Sequence, residues 1–471
     1  MGQQPTDRLP RPPYDAEMEP VVRAAAAAAA DAGDFSSLQD FLDIEKLRRE
    51  ALERERPRTE ALLRDQRVVC RDLRIPGVRA GSSLTLTVVR PAAGGGKGKE
   101  GEGEGVEERD SRIDDELRPC IFYIHGGAMV RSDRYAGLDM SVAWATELGA
   151  VTVSVEYGLA PENPGTGPAE ECYAALWWVA DQSRAEAAQA RSPKPEQEQG
   201  LASTPPPSEN LGIDPRRIVL YGVSAGGGLA AAVALMARDR RGPPLCGLLL
   251  KAPMLDDRNP SSVAGQQFAT GPMYNSTINL KAWRCLLGDR AGTAATAGVE
   301  GKEGQKKREE VEEDKGGEGE GEERGAKSVG VSPYEAPGRA TDLAGLPATY
   351  LDCGTADPFR DDAASFAARL WAGGVAAEFH AWPGCPHAFD RVAPDAALSV
   401  LAVRTRLAWL RRTFGIPEPG SGTVVAGSST RAAVGEGKAS GAGVGNAKGE
   451  AEETRPRVNG EAEGVAQQTI E

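Results

Sequence analysis

The stretch "RIVLYGVSAGGGLAAAVALMA", Arg217 to Ala237, constrains the fold more than any other. Ile218-Val219-Leu220-Tyr221 is short, apolar and β-rich, the pattern of a buried strand. Leu229 to Ala237 is alanine-rich and apolar, the pattern of a buried helix. Between them lies Gly222-Val223-Ser224-Ala225-Gly226. Glycines allow a turn too tight for side chains, and such a turn leaves a serine hydroxyl exposed above a sheet. The chain holds 57 glycines in 471 residues, so the pentapeptide alone decides little. Its setting, strand before and helix after, makes Ser224 a candidate nucleophile. Without a base in reach, the same stretch is only a closely packed glycine turn.

Around this junction the chain alternates strand and helix. Leu84 to Pro91 alternates as a strand does. Arg118 to Gly127, Ala150 to Pro161, Leu245 to Pro253, Pro347 to Phe359 and "AAEFHAWPG" read as further strands. Helical spacing falls between and after them, in "SVAWATELG", Ala169 to Gln182, "DDAASFAARLWAGG" and "DAALSVLAVRTRLAWLRRTFG". Continuous apolar strands separated by helices imply an α/β fold: a mostly parallel central sheet with helices on both faces. Active groups in such sheets sit beyond the carboxyl ends of the strands.

Four stretches cannot build a core. Residues 94–115, 183–210 and 292–328 are glycine-, proline- or charge-dense, and 416–471 lacks a sustained apolar period. They bury too little apolar surface to offset ordering entropy, and are expected to be disordered. The remainder suits one large domain over 68–415, with an N-terminal helical region in 1–67. Ala24 to Ala30 is a helix candidate within that region.

The formal net charge is -14, much of it in those segments. No basic stripe or recognition helix is present, so nucleic acid is not an expected partner. No apolar run reaches the roughly 20 residues of a membrane span, and the first twenty residues lack the apolar centre of a signal peptide. No stable membrane insertion is expected. Seven cysteines, an odd number without a C-x-x-C pair, point to reduced thiols and a cytoplasmic protein. Cys385, His387 and His380 lie close in sequence but suggest no fourth ligand, so no metal is expected.

A serine hydroxyl needs an imidazole to take its proton, a carboxylate to orient that imidazole, and donors for the developing oxyanion. The chain has three histidines. His125 ends a strand and His380 lies inside one, whereas His387 follows a strand in a loop, where a base belongs. Of the aspartates in "DCGTADPFRDD", Asp352 is within a strand and Asp361 and Asp362 open a helix, where carboxylates are favoured for capping and dipole reasons. Asp357, at the strand's carboxyl end, is best placed for a loop histidine. Backbone N–H groups of Gly126, Gly127 and Ala225 are the candidate oxyanion donors.

Five motifs then occur in order: "HGGA" (His125 to Ala128), "EYGLAPENP" (Glu156 to Pro164), "GVSAGG" (Gly222 to Gly227), "DPFRDD" (Asp357 to Asp362) and "PGCPHAF" (Pro383 to Phe389). With them the chain resembles the hormone-sensitive-lipase-like branch of the α/β-hydrolases, a group of carboxylesterases and lipases. The likeness runs from about Val68 to Phe414, broken by the inserts. It implies a triad of Ser224, Asp357 and His387 and an oxyanion hole of Gly126, Gly127 and Ala225. It also implies a small helical cap, drawn from the region before Arg71 and from a segment at about 256–290. Val223, Gly158, Ala128 and Ala388 depart from the family's forms; none of them removes a proton-transfer group.

The resulting expectation is a serine hydrolase that cleaves small carboxylic esters, with short acyl chains, through an acyl-enzyme and without a cofactor. Trp283, Met273 and Tyr274 are expected to give the cap an apolar pocket. Two rivals remain: a non-catalytic small-molecule binding protein on the same fold, and an amidase, lactonase or deacetylase with the same triad.

Overall fold

Every residue from Pro119 to Ile124 is buried, and successive side chains enter opposite sides of one sheet. Cys120, Phe122 and Ile124 join one apolar cluster, Ile121 and Tyr123 the other. Period-two packing of this kind places the strand at the centre of a sheet covered on both faces. The computed structural model describes residues 9–32, 43–92, 117–191, 210–293 and 330–418. Its strands are β1 (Val68–Pro76), β2 (Ser83–Pro91), β3 (Arg118–Ile124), β4 (Val151–Glu156), β5 (Ile213–Val223), β6 (Gly247–Lys251), β7 (Thr349–Ala356) and β8 (Ala377–Pro386). They form one sheet in the order β1-β2-β4-β3-β5-β6-β7-β8. Pairing is antiparallel between β1 and β2 and between β2 and β4, and parallel from β4 onward.

The helices are α1 (Glu19–Ala32), α2 (Ile44–Arg64), α3 (Ser141–Leu148), α4 (Gly167–Arg191), α5 (Ala225–Asp239), α6 (Val263–Gln267), α7 (Ser276–Leu287), α8 (Arg360–Ala372), α9 (Phe389–Val392) and α10 (Ala397–Thr413). Ala175 and Leu176 of α4, Leu229 to Met236 of α5 and Phe366 and Leu370 of α8 pack into the first cluster. Trp144 of α3 and Trp409 and Leu410 of α10 pack into the second. The sheet therefore carries helices on both faces. All of Ala225 to Ala237 in α5 is buried, because its glycines and alanines let the helix lie close against the strands.

Two elements differ from the sequence expectation. Residues 183–191, expected to open a disordered insert, continue α4. Ser183 is fully buried, and Glu186 accepts hydrogen bonds from Leu211 N (2.8 Å) and Gly212 N (3.0 Å), tying the helix to the start of β5. Strand β1 escaped the sequence reading because its alternation is broken by Arg71, Asp72 and Arg74 on an edge strand. The expected inserts at 94–115 and most of 183–210 and 292–328, and the tail beyond residue 418, lie outside the described residues.

The N-terminal segment and α2 are fastened to the sheet domain. Arg48 of α2 donates to the Val130 and Ala160 carbonyls (2.9 and 3.1 Å) and pairs with Glu162 (2.7 Å). Asp15 N donates to Gly384 O at 3.1 Å, and Arg11 donates to Thr270 O at 3.1 Å. No helix among the described residues is long and apolar enough to cross a membrane.

Candidate active site

Ser224 stands at the junction of β5 and α5 with φ 57° and ψ -119°. A non-glycine residue in this region stores strain of about 1–3 kcal/mol, which the surroundings must hold. Ser224 N donates to Lys251 O (2.8 Å), and Ser224 O accepts from Gly227 N (2.9 Å), Gly228 N (3.1 Å) and Met254 N (2.9 Å). The glycines are needed because the backbones nearly touch: a Cβ on Gly226 would overlap the Ile124 and His125 carbonyls.

His387 follows the last residue of β8, and Asp357 follows the last residue of β7. Both therefore sit at carboxyl strand ends, beside the β5–α5 turn that carries Ser224. His387 Nδ1 lies 2.7 Å from Asp357 Oδ2, and His387 Nε2 lies 3.0 Å from Ser224 Oγ. Asp357 is fully buried, and its other carboxylate oxygen accepts from Phe359 N at 2.9 Å. With Nδ1–H donating to the carboxylate, Nε2 is left as the acceptor facing the hydroxyl. Phe359 and Tyr274 flank the imidazole, their centroids 5.2 and 5.0 Å from it. Sequence reasoning named all three residues, and the fold brings them together.

Gly126 and Gly127 border the same cavity as Ser224. A Cβ on Gly126 would stand 3.3 Å from Ser224 Cβ, and Gly127 has φ 118°. Ala225 is the first residue of α5, where a helix leaves its N–H without an intrahelical partner. His125, fully buried, holds this loop. Its Nδ1 donates to Gly126 O at 2.8 Å, its ring stacks on Tyr157 at 4.3 Å, and Tyr157 OH donates to His125 O at 3.0 Å. Burial pushes the His125 pKa down, so the ring is neutral and donates through Nδ1.

The remaining aspartates and histidines have other partners. Asp361 accepts from Ala264 N (2.6 Å) and Asp362 from Asn259 Nδ2 (2.8 Å), so the start of α8 anchors the segment that leads into α6. His380 pairs with Glu378 at 2.9 Å and stacks on Trp382. Asp352 binds Arg406 at 2.7 Å.

A cavity of about 260 Å³ opens beside Ser224. Ala51, Arg54 and Glu55 of α2 line one side, and Met273 and Tyr274 another. Trp283, expected in this pocket, is instead fully buried in the first core cluster. The expected apolar lining is also only partial, since Arg54, Arg131, Lys251 and Arg391 contribute to the wall. Among these, Lys251 belongs to a buried charge network that sequence reasoning missed. Lys251 pairs with Asp390 (2.6 Å), Asp390 with Arg406 (2.6 Å), and Arg406 with Asp352.

Comparison with known proteins bears on the fold and the family. A family model described as the alpha/beta hydrolase fold matches residues 121–300 and 324–391, just over half of the chain. Esterase LipI of Mycobacterium tuberculosis is 30% identical over 268 residues, which cover 57% of this chain and 64% of LipI. Carboxylesterase NlhH of the same species is 29% identical over 310 residues, 63% of this chain and 74% of NlhH. Among solved structures, a bacterial heroin esterase superposes with TM-score 0.58 at 29% identity, covering 84% of this chain and 98% of that one. The chain belongs to the α/β-hydrolase family, among the hormone-sensitive-lipase-like carboxylesterases.

Proposed function

We propose that the protein hydrolyses carboxylic esters by nucleophilic catalysis at Ser224. The observation that carries this reading is the unbroken chain from Asp357 Oδ2 to His387 Nδ1 (2.7 Å) and from His387 Nε2 to Ser224 Oγ (3.0 Å). Ser224 Oγ attacks the acyl carbon while its proton passes to His387 Nε2. The carbonyl oxygen takes up negative charge and meets the N–H groups of Gly126, Gly127 and Ala225. His387 then gives its proton to the departing alkoxide, leaving Ser224 acylated. A water molecule, deprotonated by the same imidazole, attacks the acyl-enzyme and returns Ser224 and a carboxylic acid. Asp357 stays ionised and stabilises the imidazolium in both half-reactions. No cofactor enters these steps.

A cavity of about 260 Å³ supports short acyl groups, because it is smaller than the sites that take drug-sized ligands. The seven unpaired cysteines support a reducing, cytoplasmic setting. Hydrolysis of nitrophenyl acetate, butyrate and decanoate tests the reading. Activity on acetate and butyrate that disappears in Ser224→Ala is the expected result. Activity that persists in Ser224→Ala, or a preference for decanoate, contradicts it.

A further inference from the structure

The cavity beside Ser224 holds more positive charge than its own carboxylates balance. Arg54, Arg131, Lys251 and Arg391 line it, against Glu55 alone. Two of these cations are spoken for. Arg391 pairs with Glu55 (2.5 Å) and Asp139 (3.3 Å), and Lys251 with Asp390 (2.6 Å). Arg54 and Arg131 differ: no carboxylate among the described residues lies within ion-pair distance of either guanidinium. Arg54 is exposed at the mouth, whereas Arg131 is half-buried. Arg131 N donates to Gly127 O at 3.1 Å, which fixes its backbone to the same loop that carries the candidate oxyanion donors.

A cation taken partly out of water without a counter-ion is costly to keep. Burial, and next the charge of Arg54, push the Arg131 pKa down, against smaller opposite pulls from Tyr274 and Glu50. Core packing does not explain it, since an apolar side chain would fill the same wall at less cost.

We infer that the preferred substrates are carboxylic esters bearing a second, ionised acid group, which Arg131 and Arg54 receive while the ester carbonyl faces Ser224. This inference rests on the serine-hydrolase reading for the orientation of the ester. The guanidinium fork accepts a carboxylate through two parallel hydrogen bonds, and also binds phosphate. A cavity of about 260 Å³ has room for a short half-ester of a dicarboxylic acid.

Calorimetric titration of the full chain carrying Ser224→Ala separates this inference from the catalytic one, because no turnover is required. The ligands are monomethyl glutarate, neutral dimethyl glutarate, and methyl phosphoglycolate as the phosphate-bearing arm. The half-ester should bind about tenfold tighter than the diester, the scale of one charge-assisted pair. Arg131→Gln on the same background should abolish that preference, and Arg131→Lys should keep part of it. Tighter binding of methyl phosphoglycolate than of monomethyl glutarate would identify phosphate as the acid group. Equal binding of charged and neutral esters overturns the inference, and so does a preference that survives Arg131→Gln in folded protein. Failure of the unmutated protein to cleave any of these esters would count against the hydrolase reading and leave the binding result standing.

Discussion

Lys251 Nζ lies 2.6 Å from Asp390 Oδ1, with each side chain 2% exposed. Asp390 sits on the short helix α9, which begins two residues after His387, and Lys251 O accepts the backbone N–H of Ser224. The pair therefore joins the two segments that carry Ser224 and His387. Arg406 completes it, reaching Asp390 and Asp352 at 2.6 and 2.7 Å. Burial alone would raise the Asp390 carboxyl; the Lys251 and Arg406 charges outweigh it and hold it below the usual carboxylate range.

Removing one member leaves the others buried and unbalanced. Asp390→Asn should cost about 3–5 kcal/mol of stability at neutral pH. An acid whose folded pKa is depressed contributes stability above its unfolded pKa of about 3.9 and loses it as pH falls toward the folded value. Thermal melts of both proteins should therefore differ by a constant amount above about pH 5 and converge at lower pH. A gap that widens on acidification contradicts the assignment.

Asp357 and Asp361 are four residues apart but have different partners. Asp357→Asn should lower kcat by about 10⁴-fold, since the amide cannot hold His387 in the tautomer that leaves Nε2 free. Asp361→Asn removes the charge beside Ala264 N, and should lower kcat less than tenfold while reducing the melting temperature. Steady-state kinetics of the two variants check this. Greater sensitivity at Asp361 would mean that the wrong carboxylate orients the imidazole.

His125 is a positioning residue for the Gly126–Gly127 loop. His125→Phe keeps an aromatic ring to stack on Tyr157 but removes the donor to Gly126 O. If the N–H groups of this loop receive the oxyanion, as proposed, the variant should lose about 10- to 100-fold in kcat with little change in KM, because such donors act on the transition state rather than on the bound ester. A rise in KM at constant kcat would show that the loop serves substrate binding alone.

Ser224, Asp357 and His387 were legible as candidates because each is marked by a local pattern: a strand, a turn residue, then a helix or loop. Strands β3, β5 and β6 were legible for the same reason, through the apolar runs Pro119 to Ile124, Ile218 to Tyr221 and Gly247 to Leu250. The network of Lys251, Asp390, Arg406 and Asp352 was not, because charges far apart in sequence give no sign that they will be buried together. Trp283 was misplaced because an aromatic on an amphipathic helix reads alike whether it faces a pocket or a core. The last turns of α4 were hidden by polar neighbours, although Ala187 and Glu186 turn inward there.

Fluorophosphonate labelling reports directly on whether Ser224 is an activated nucleophile. Such probes react with an activated serine held at an oxyanion hole and hardly with an ordinary hydroxyl. The purified protein would be treated with probe and digested, and the peptide containing Ser224 weighed. Rapid addition of the probe mass at Ser224, much slower in His387→Ala and absent in Ser224→Ala, is the expected result. A folded, unmodified wild-type protein would contradict nucleophilic catalysis at Ser224 and leave a binding protein on the same fold.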